Sequence, residues 1–126
     1  MPKNVPVLPG IEPSDLPFSP IVEANGFVFL AGQIGDKPGQ RGPVAGGIEA
    51  ETEAMLENVG RLLRAAGLDY GDAVKCTVYL ADMADFAAMN SVYRRYFPTD
   101  PPTRATVGVT GLAVGAKVEI EVLAAR

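Results

Sequence analysis

Arg104 and Glu119 are the residues on which chemistry would rest. The chain has no histidine, so no imidazole is available as a general base or metal ligand. Arg104 lies in Pro101-Pro102-Thr103-Arg104-Ala105-Thr106, and Glu119 in Lys117-Val118-Glu119-Ile120-Glu121. A guanidinium is a planar fork that donates two parallel hydrogen bonds to a carboxylate. A neighbouring glutamate can hold a water and accept its proton. Together they point to a small anionic ligand with a water held beside it.

Both segments alternate like strands. Arg104, Thr106, Gly108 and Thr110 share one face, and Lys117, Glu119 and Glu121 share the polar face of the other. A hairpin centred on residues 112–113 would set Thr106 opposite Glu119 and Arg104 opposite Glu121. Glu119 would then sit about one strand-width from Arg104. The plain alternative is a solvated face with an Arg104–Glu121 surface pair, which contributes only about 0–1 kcal/mol. The pattern leaves both readings open.

Other candidates are weaker. Cys76 sits mid-strand between Val74 and Val78 and has no histidine to activate it, so it reads as a small buried apolar residue. Asn90 falls among apolar helix positions and faces a pocket or caps a buried network. Tyr93 and Tyr96 read as core and rim of that helix. Asp82 and Asp85 read as helix-start residues. Gln33, at a strand end, could reach a cleft.

Composition narrows the classes. The chain has 126 residues, a size for one domain spanning 1–126, with 48% hydrophobic residues and a net charge of −4. Lys and Arg form no run or stripe, which argues against nucleic acid as a partner. A single cysteine excludes an intrachain disulfide and fits a cytoplasmic setting. No signal peptide and no long apolar run is apparent, so no membrane association is expected. Without histidine, a zinc or iron site is not expected. No phosphate-binding glycine motif appears, so nucleotide cofactors have no support.

These residues need elements to position them. Residues 1–17 read as an extended, Pro-rich lead-in. Asn25-Gly26 between two apolar runs, Ser19–Ala24 and Phe27–Gly32, is a hairpin signal, because both turn residues accept positive φ. The glycines between 35 and 47 mark a mobile loop. From Ile48 to Ala66, Thr52, Met55, Leu56, Val59, Leu62, Leu63 and Ala66 form one apolar helical stripe. Glu49, Glu51 and Glu53 complement its N-terminus, and Gly67 its end. Ala73–Leu80 reads as a strand with Val74, Cys76, Val78 and Leu80 on one face. Asp82 caps a second helix bearing Phe86, Met89, Tyr93 and Phe97, and Pro98 stops it. Thr103–Val109 and Lys117–Leu123 are the last strands.

The order β-β-α-β-α-β-β implies an α+β domain with both helices on one face of a single sheet. Phe27, Val28, Phe29 and Leu30 are apolar on both sides of their strand. The uncovered face should therefore expose apolar surface, which points to a homo-oligomer. The alternative is that the N-terminal segment folds over that face.

From about Phe18 to Ala124 the chain resembles the RidA/YjgF family of reactive-intermediate deaminases. The resembling pieces are Pro17-Phe18-Ser19-Pro20, Ala31-Gly32-Gln33-Ile34-Gly35, Asn58-Val59 and Ala65-Ala66-Gly67-Leu68. They continue with 72–80, Asp85-Phe86-Ala87-Ala88-Met89-Asn90, Pro102–Thr106 and Lys117–Glu121. Each piece alone is weak, and the set in order is specific. The resemblance implies a chorismate-mutase-like fold (bacillus type), a homotrimer with pockets between subunits, and no metal or organic cofactor. It implies hydrolysis of 2-aminoacrylate and 2-iminopropionate to 2-keto acids and ammonia.

The family's carboxylate-binding arginine falls on Arg104, its water-orienting glutamate on Glu119, and a water-holding backbone carbonyl on Thr106. Gly32 would bind ligand through its backbone N–H. Phe18, Ala31 and Asn90 complete the substrate-binding set. Phe18 stands where many relatives have Tyr, Ala31 where Ser is frequent, and Thr106 where Cys is common. Gly108 and Ala113-Val114-Gly115-Ala116 depart from charged residues. The pocket should thus be more apolar, suited to bulkier imino acids and possessing slower turnover. A non-catalytic ligand-binding or chaperone-like trimer is the alternative. A ribonuclease or translation inhibitor is disfavoured by the acidic charge and the absence of histidine.

Overall fold

A computed structural model of the chain describes residues 3–126. Asn25 and Gly26 take φ of 52° and 81°, the double positive φ of a two-residue hairpin turn. They join β1 (Ile21–Ala24) to β2 (Phe27–Leu30) in antiparallel register, Ala24 opposite Phe27. A short β3 (Gln33–Ile34) follows. Then come α1 (Gly47–Ala65), β4 (Ala73–Leu80), α2 (Phe86–Tyr96), β5 (Thr103–Gly108) and β6 (Val118–Ala125). The expected order is present, with β3 added.

The six strands form one sheet in the order β1-β2-β6-β4-β5, and β3 also pairs with β6. This corrects the expected β5–β6 hairpin. β6 runs antiparallel between β2 and β4, and β5 lies parallel to β4 at the edge. Arg104 is therefore not opposite Glu121, nor Thr106 opposite Glu119. Arg104 is level with Cys76 and Thr106 with Val78, while Glu121 is level with Thr77 and Glu119 with Tyr79.

β2 and β3 together pair with β6 across an irregularity. Phe29 is opposite Leu123 and Gln33 opposite Ile120, four residue steps against three. The extra residue is a bulge at Ala31-Gly32, a device that re-aims backbone and side chains. A second irregularity between Ala73 and Lys75 turns Val74 outward, where it is 41% exposed. Val74 thus leaves the face assigned to it with Cys76, Val78 and Leu80.

α1 and α2 cover one face. Met55, Leu56, Val59, Leu62 and Leu63 of α1 join Met89 and Tyr93 of α2 against Val28, Cys76, Val78, Ile120 and Val122. Burying one such aliphatic side chain stabilises by about 1.5–3 kcal/mol. Two polar residues lie on that buried stripe. Glu51 is 3% exposed and accepts the Lys117 N–H at 2.8 Å. It ties the start of β6 to α1, which corrects its assignment as a dipole-facing residue. Asn58 donates to the carbonyls of Ile34 and Asp36 and to the Asp36 carboxylate. That fixes the start of the glycine loop. Asp82 accepts the Ala84 N–H and so begins a short 3-10 turn before α2.

The opposite face is open. Phe27, Phe29 and Val107 there are 43%, 44% and 41% exposed. The lead-in does not cover it. Asn4 pairs with Glu23 at the β1 edge, and Leu8 and Ile11 pack against the helix-side core. Among the described residues of the lead-in, Asp15 and Leu16 reach the rim of the open face, beside Phe18. Met1 and Pro2, the first residues of the expected lead-in, lie outside the described residues.

Candidate functional site

Glu119 stands on β6 and points to the open face. Alternation along β6 sends Val118, Ile120 and Val122 into the core and leaves Glu119 half-buried outside. The bulge brings Gly32 against it. A Cβ at residue 32 would lie 2.3 Å from Glu119 Oε2, so a larger residue there would push the carboxylate out of its present position. Burial, and then the like charge of Glu121, push the Glu119 carboxyl above its ordinary value. Glu121 itself accepts a hydrogen bond from the Tyr79 hydroxyl.

A cleft of about 960 Å³ opens over this carboxylate. Phe18, Ala31, Gly32 and Glu119 all line it. Leu16, Val22, Phe29 and Val114 add apolar walls, and Arg41 and Asp36 supply charge from the glycine loop. Val114 holds φ 52°, the left-handed region that a β-branched residue rarely adopts, and is 62% exposed. Such backbone conformations gather at ligand sites. The wall residues had little signal in the sequence, because each needs the sheet register to face the cleft. Gln33 does not line it. Its amide turns back to the Ala31 carbonyl at 3.0 Å.

Arg104 is elsewhere. Cys76 and Tyr79 are three residues apart on β4, so they face opposite sides. Arg104 is level with Cys76 and Glu119 with Tyr79. The guanidinium and the carboxylate therefore lie on opposite faces of one sheet, with β4 between their strands. Thr106 shares the Arg104 face, level with buried Val78. Asn90 looks onto this side from α2. Asn90 Oδ1, Tyr93 OH and Thr106 Oγ1 are buried with no hydrogen-bond partner. Each unmet buried group costs about 1–3 kcal/mol. Cys76 is free and fully buried; burial pushes its thiol up, disfavouring a thiolate.

The expected site thus splits in two. Glu119, Gly32, Phe18 and Ala31 form one part, and Arg104, Thr106 and Asn90 the other. Among the described residues no three His, Cys, Asp or Glu side chains gather as metal ligands, and no helix is long and apolar enough to cross a membrane.

An α+β domain with an open sheet face, a half-buried carboxylate on that face and a guanidinium on the other defines the class. The sequence profile described as Endoribonuclease L-PSP matches residues 11–126. The chain belongs to that family, the RidA/YjgF family of the sequence resemblance. It is 44% identical over 108 residues to Reactive Intermediate Deaminase A, chloroplastic, of Arabidopsis thaliana, covering 86% of this chain. It spans only 58% of that longer relative. It is 40% identical to the 2-iminobutanoate/2-iminopropanoate deaminase of Mus musculus, covering 87% of this chain and 82% of the relative. Among solved structures, E. coli TdcF with bound serine superposes with a TM-score of 0.83 at 37% identity, covering 90% of this chain and 91% of the other.

Proposed function

We propose that this chain hydrolyses reactive 2-imino and 2-enamino acids, of the 2-aminoacrylate/2-iminopropionate type, to 2-keto acids and ammonia. It is a deaminase hydrolase, in keeping with relatives at 40–44% identity that carry deaminase names. We further propose that it works as a homotrimer of chorismate-mutase-like subunits, with each pocket shared by two copies. The observation that carries this assembly is the separation of Arg104 from Glu119. A 2-imino acid holds its carboxylate and reacting carbon one bond apart. One chain cannot serve both ends through its own sheet. A second copy placing its Arg104 edge at the Glu119 cleft would do so, and the exposed Phe27, Phe29 and Val107 give copies a reason to associate.

In the shared pocket, Arg104 of one copy pairs with the substrate carboxylate. Asn90 and Thr106 bring acceptors from the same copy, Thr106 through its backbone carbonyl toward the water. Glu119 of the other copy orients that water over the imine carbon, in the space left by Gly32. The protonated imine is already electrophilic, so positioning carries much of the acceleration. As the water oxygen bonds to carbon, Glu119 takes its proton. The proton then passes to the nitrogen, and as the C–N bond breaks the hydroxyl of the adduct gives its proton to Glu119, so that ammonia leaves and the 2-keto acid remains. A base placed this way adds about 10²–10⁴-fold. A raised carboxyl pKa makes it a better acceptor near neutral pH.

The serine named with TdcF is of the size of this substrate class. The apolar walls from Phe18, Phe29 and Val114 suit substrates with larger apolar side chains. No nucleic-acid role is part of the proposal, supported by a net charge of −4 without a basic stripe. A cytoplasmic setting fits the free buried cysteine.

The test generates imino acids in situ from several L-amino acids with an amino-acid oxidase and traps them with semicarbazide. Wild type should speed loss of the trappable imine, and Arg104→Ala should abolish the effect with the fold intact. Equal hydrolysis by both proteins would sink the mechanism. Keto-acid binding without any ammonia release would favour a non-catalytic binding trimer.

A further inference from the structure

Arg104 has no hydrogen-bond or ion-pair partner among the described residues. Its close neighbours of note are aromatic rings on α2. The guanidinium carbon lies 4.6 Å from the Tyr93 ring centre and 5.7 Å from that of Phe86. The two residues are seven apart on α2, two turns, and so present to the same side of the helix. A cation over an aromatic face is attracted by the ring quadrupole. That attraction does not consume the guanidinium N–H donors. A carboxylate partner would hold Arg104 equally well but would occupy those donors.

We infer that Tyr93 and Phe86 are positioning residues that hold Arg104 by its face and keep its hydrogen-bonding edge open for the substrate carboxylate. Tyr93 is the firmer support, since it is 6% exposed and stacks on Phe97 at 4.7 Å. Its hydroxyl makes no hydrogen bond of good geometry, though Cys76 and Arg104 both lie near enough to act on it, so the ring is its main contact with Arg104. Burial first, and then the neighbouring Cys76, raise the phenol above its ordinary value. Tyr93 therefore stays neutral and does not draw Arg104 into an ion pair. Phe86 is 39% exposed, which is unusual for a core residue and expected for a ring placed to flank a cation at a mouth.

This inference rests on the reading of Arg104 as the carboxylate clamp, and the test separates the two. KM and kcat for imine hydrolysis, and binding of a 2-keto acid such as pyruvate by calorimetry, are measured on wild type, Phe86→Leu, Tyr93→Leu and Tyr93→Phe. Losing a ring frees the long Arg104 side chain, whose re-ordering on binding costs about a 2- to 12-fold change in affinity. Phe86→Leu and Tyr93→Leu should raise KM and weaken keto-acid binding by that factor, with kcat nearly unchanged. Tyr93→Phe should recover what Tyr93→Leu loses. In an Arg104→Ala background the leucine variants should have no further effect on binding. A purely packing role would instead lower thermal stability and leave KM unmoved, and that result in the folded Phe86→Leu protein would overturn the inference. Binding without turnover in wild type would sink the deaminase reading alone. Wild type that binds no keto acid and hydrolyses no imine would overturn both.

Discussion

Glu119 owes its proposed role to its neighbours as much as to its own chemistry. Half-burial and the adjacent Glu121 charge raise its carboxyl pKa. The acid limb of kcat/KM should therefore titrate above the ordinary carboxylate value. Glu121→Gln removes the second cause of the shift and should move that limb to lower pH, without abolishing activity. A pH–rate profile of the two proteins checks this; an unmoved limb would mean another group controls it. The sign for stability is opposite in kind. A carboxyl with a raised folded-state pKa adds stability below its unfolded value and loses it as pH rises through the folded value. The ionised Glu119 carboxylate thus opposes folding at neutral pH. Both Arg104 and Glu119 were legible in the sequence as residue types. Their placement was not, because the face a strand residue takes depends on which strand it pairs with.

At the scale of elements, Glu51 makes the most specific connection. It crosses from α1 to the first residues of β6, two positions from Glu119, through the Lys117 N–H. Glu51→Ala leaves a buried N–H without a partner. It should cost about 1–3 kcal/mol in denaturant unfolding, and should lower kcat more than it raises KM, because the base loses its anchor. An unchanged midpoint would show that the bond is dispensable. The two helices and the Asn25-Gly26 hairpin could be read from the sequence because their signals are local: apolar residues at three- and four-residue steps, and two residues tolerant of positive φ. The parallel pairing of β5 with β4 escaped, since it joins segments separated by all of α2. The bulges at Ala31-Gly32 and near Val74 escaped for the same reason, being set by the partner strand. Glu51 and Asn58 did carry a signal. They lie seven residues apart on the same stripe as Met55 and Leu62, polar positions inside an apolar face.

At the scale of the whole molecule, one subunit offers two incomplete surfaces. The cleft over Glu119 holds Arg41 from the glycine loop but not Arg104, and the Arg104 edge lacks a base. The cleft belongs to the open sheet face, and Arg104 to the face covered by the helices. In the proposed trimer, each subunit gives its Arg104 edge to one neighbour and its Glu119 cleft to the other, a head-to-tail arrangement that closes as a ring. The Tyr93 and Phe86 rings would keep the guanidinium ready across that interface.

The most direct test is complementation between two inactive variants. Arg104→Ala and Glu119→Gln are each assayed alone, then unfolded, mixed in equal amounts and refolded together. A shared pocket predicts that mixed rings regain intact sites, one in each mixed trimer. Random assortment then gives about one quarter of wild-type imine hydrolysis. Mixed protein that assembles as well as wild type yet stays as inactive as its parents would contradict the shared pocket.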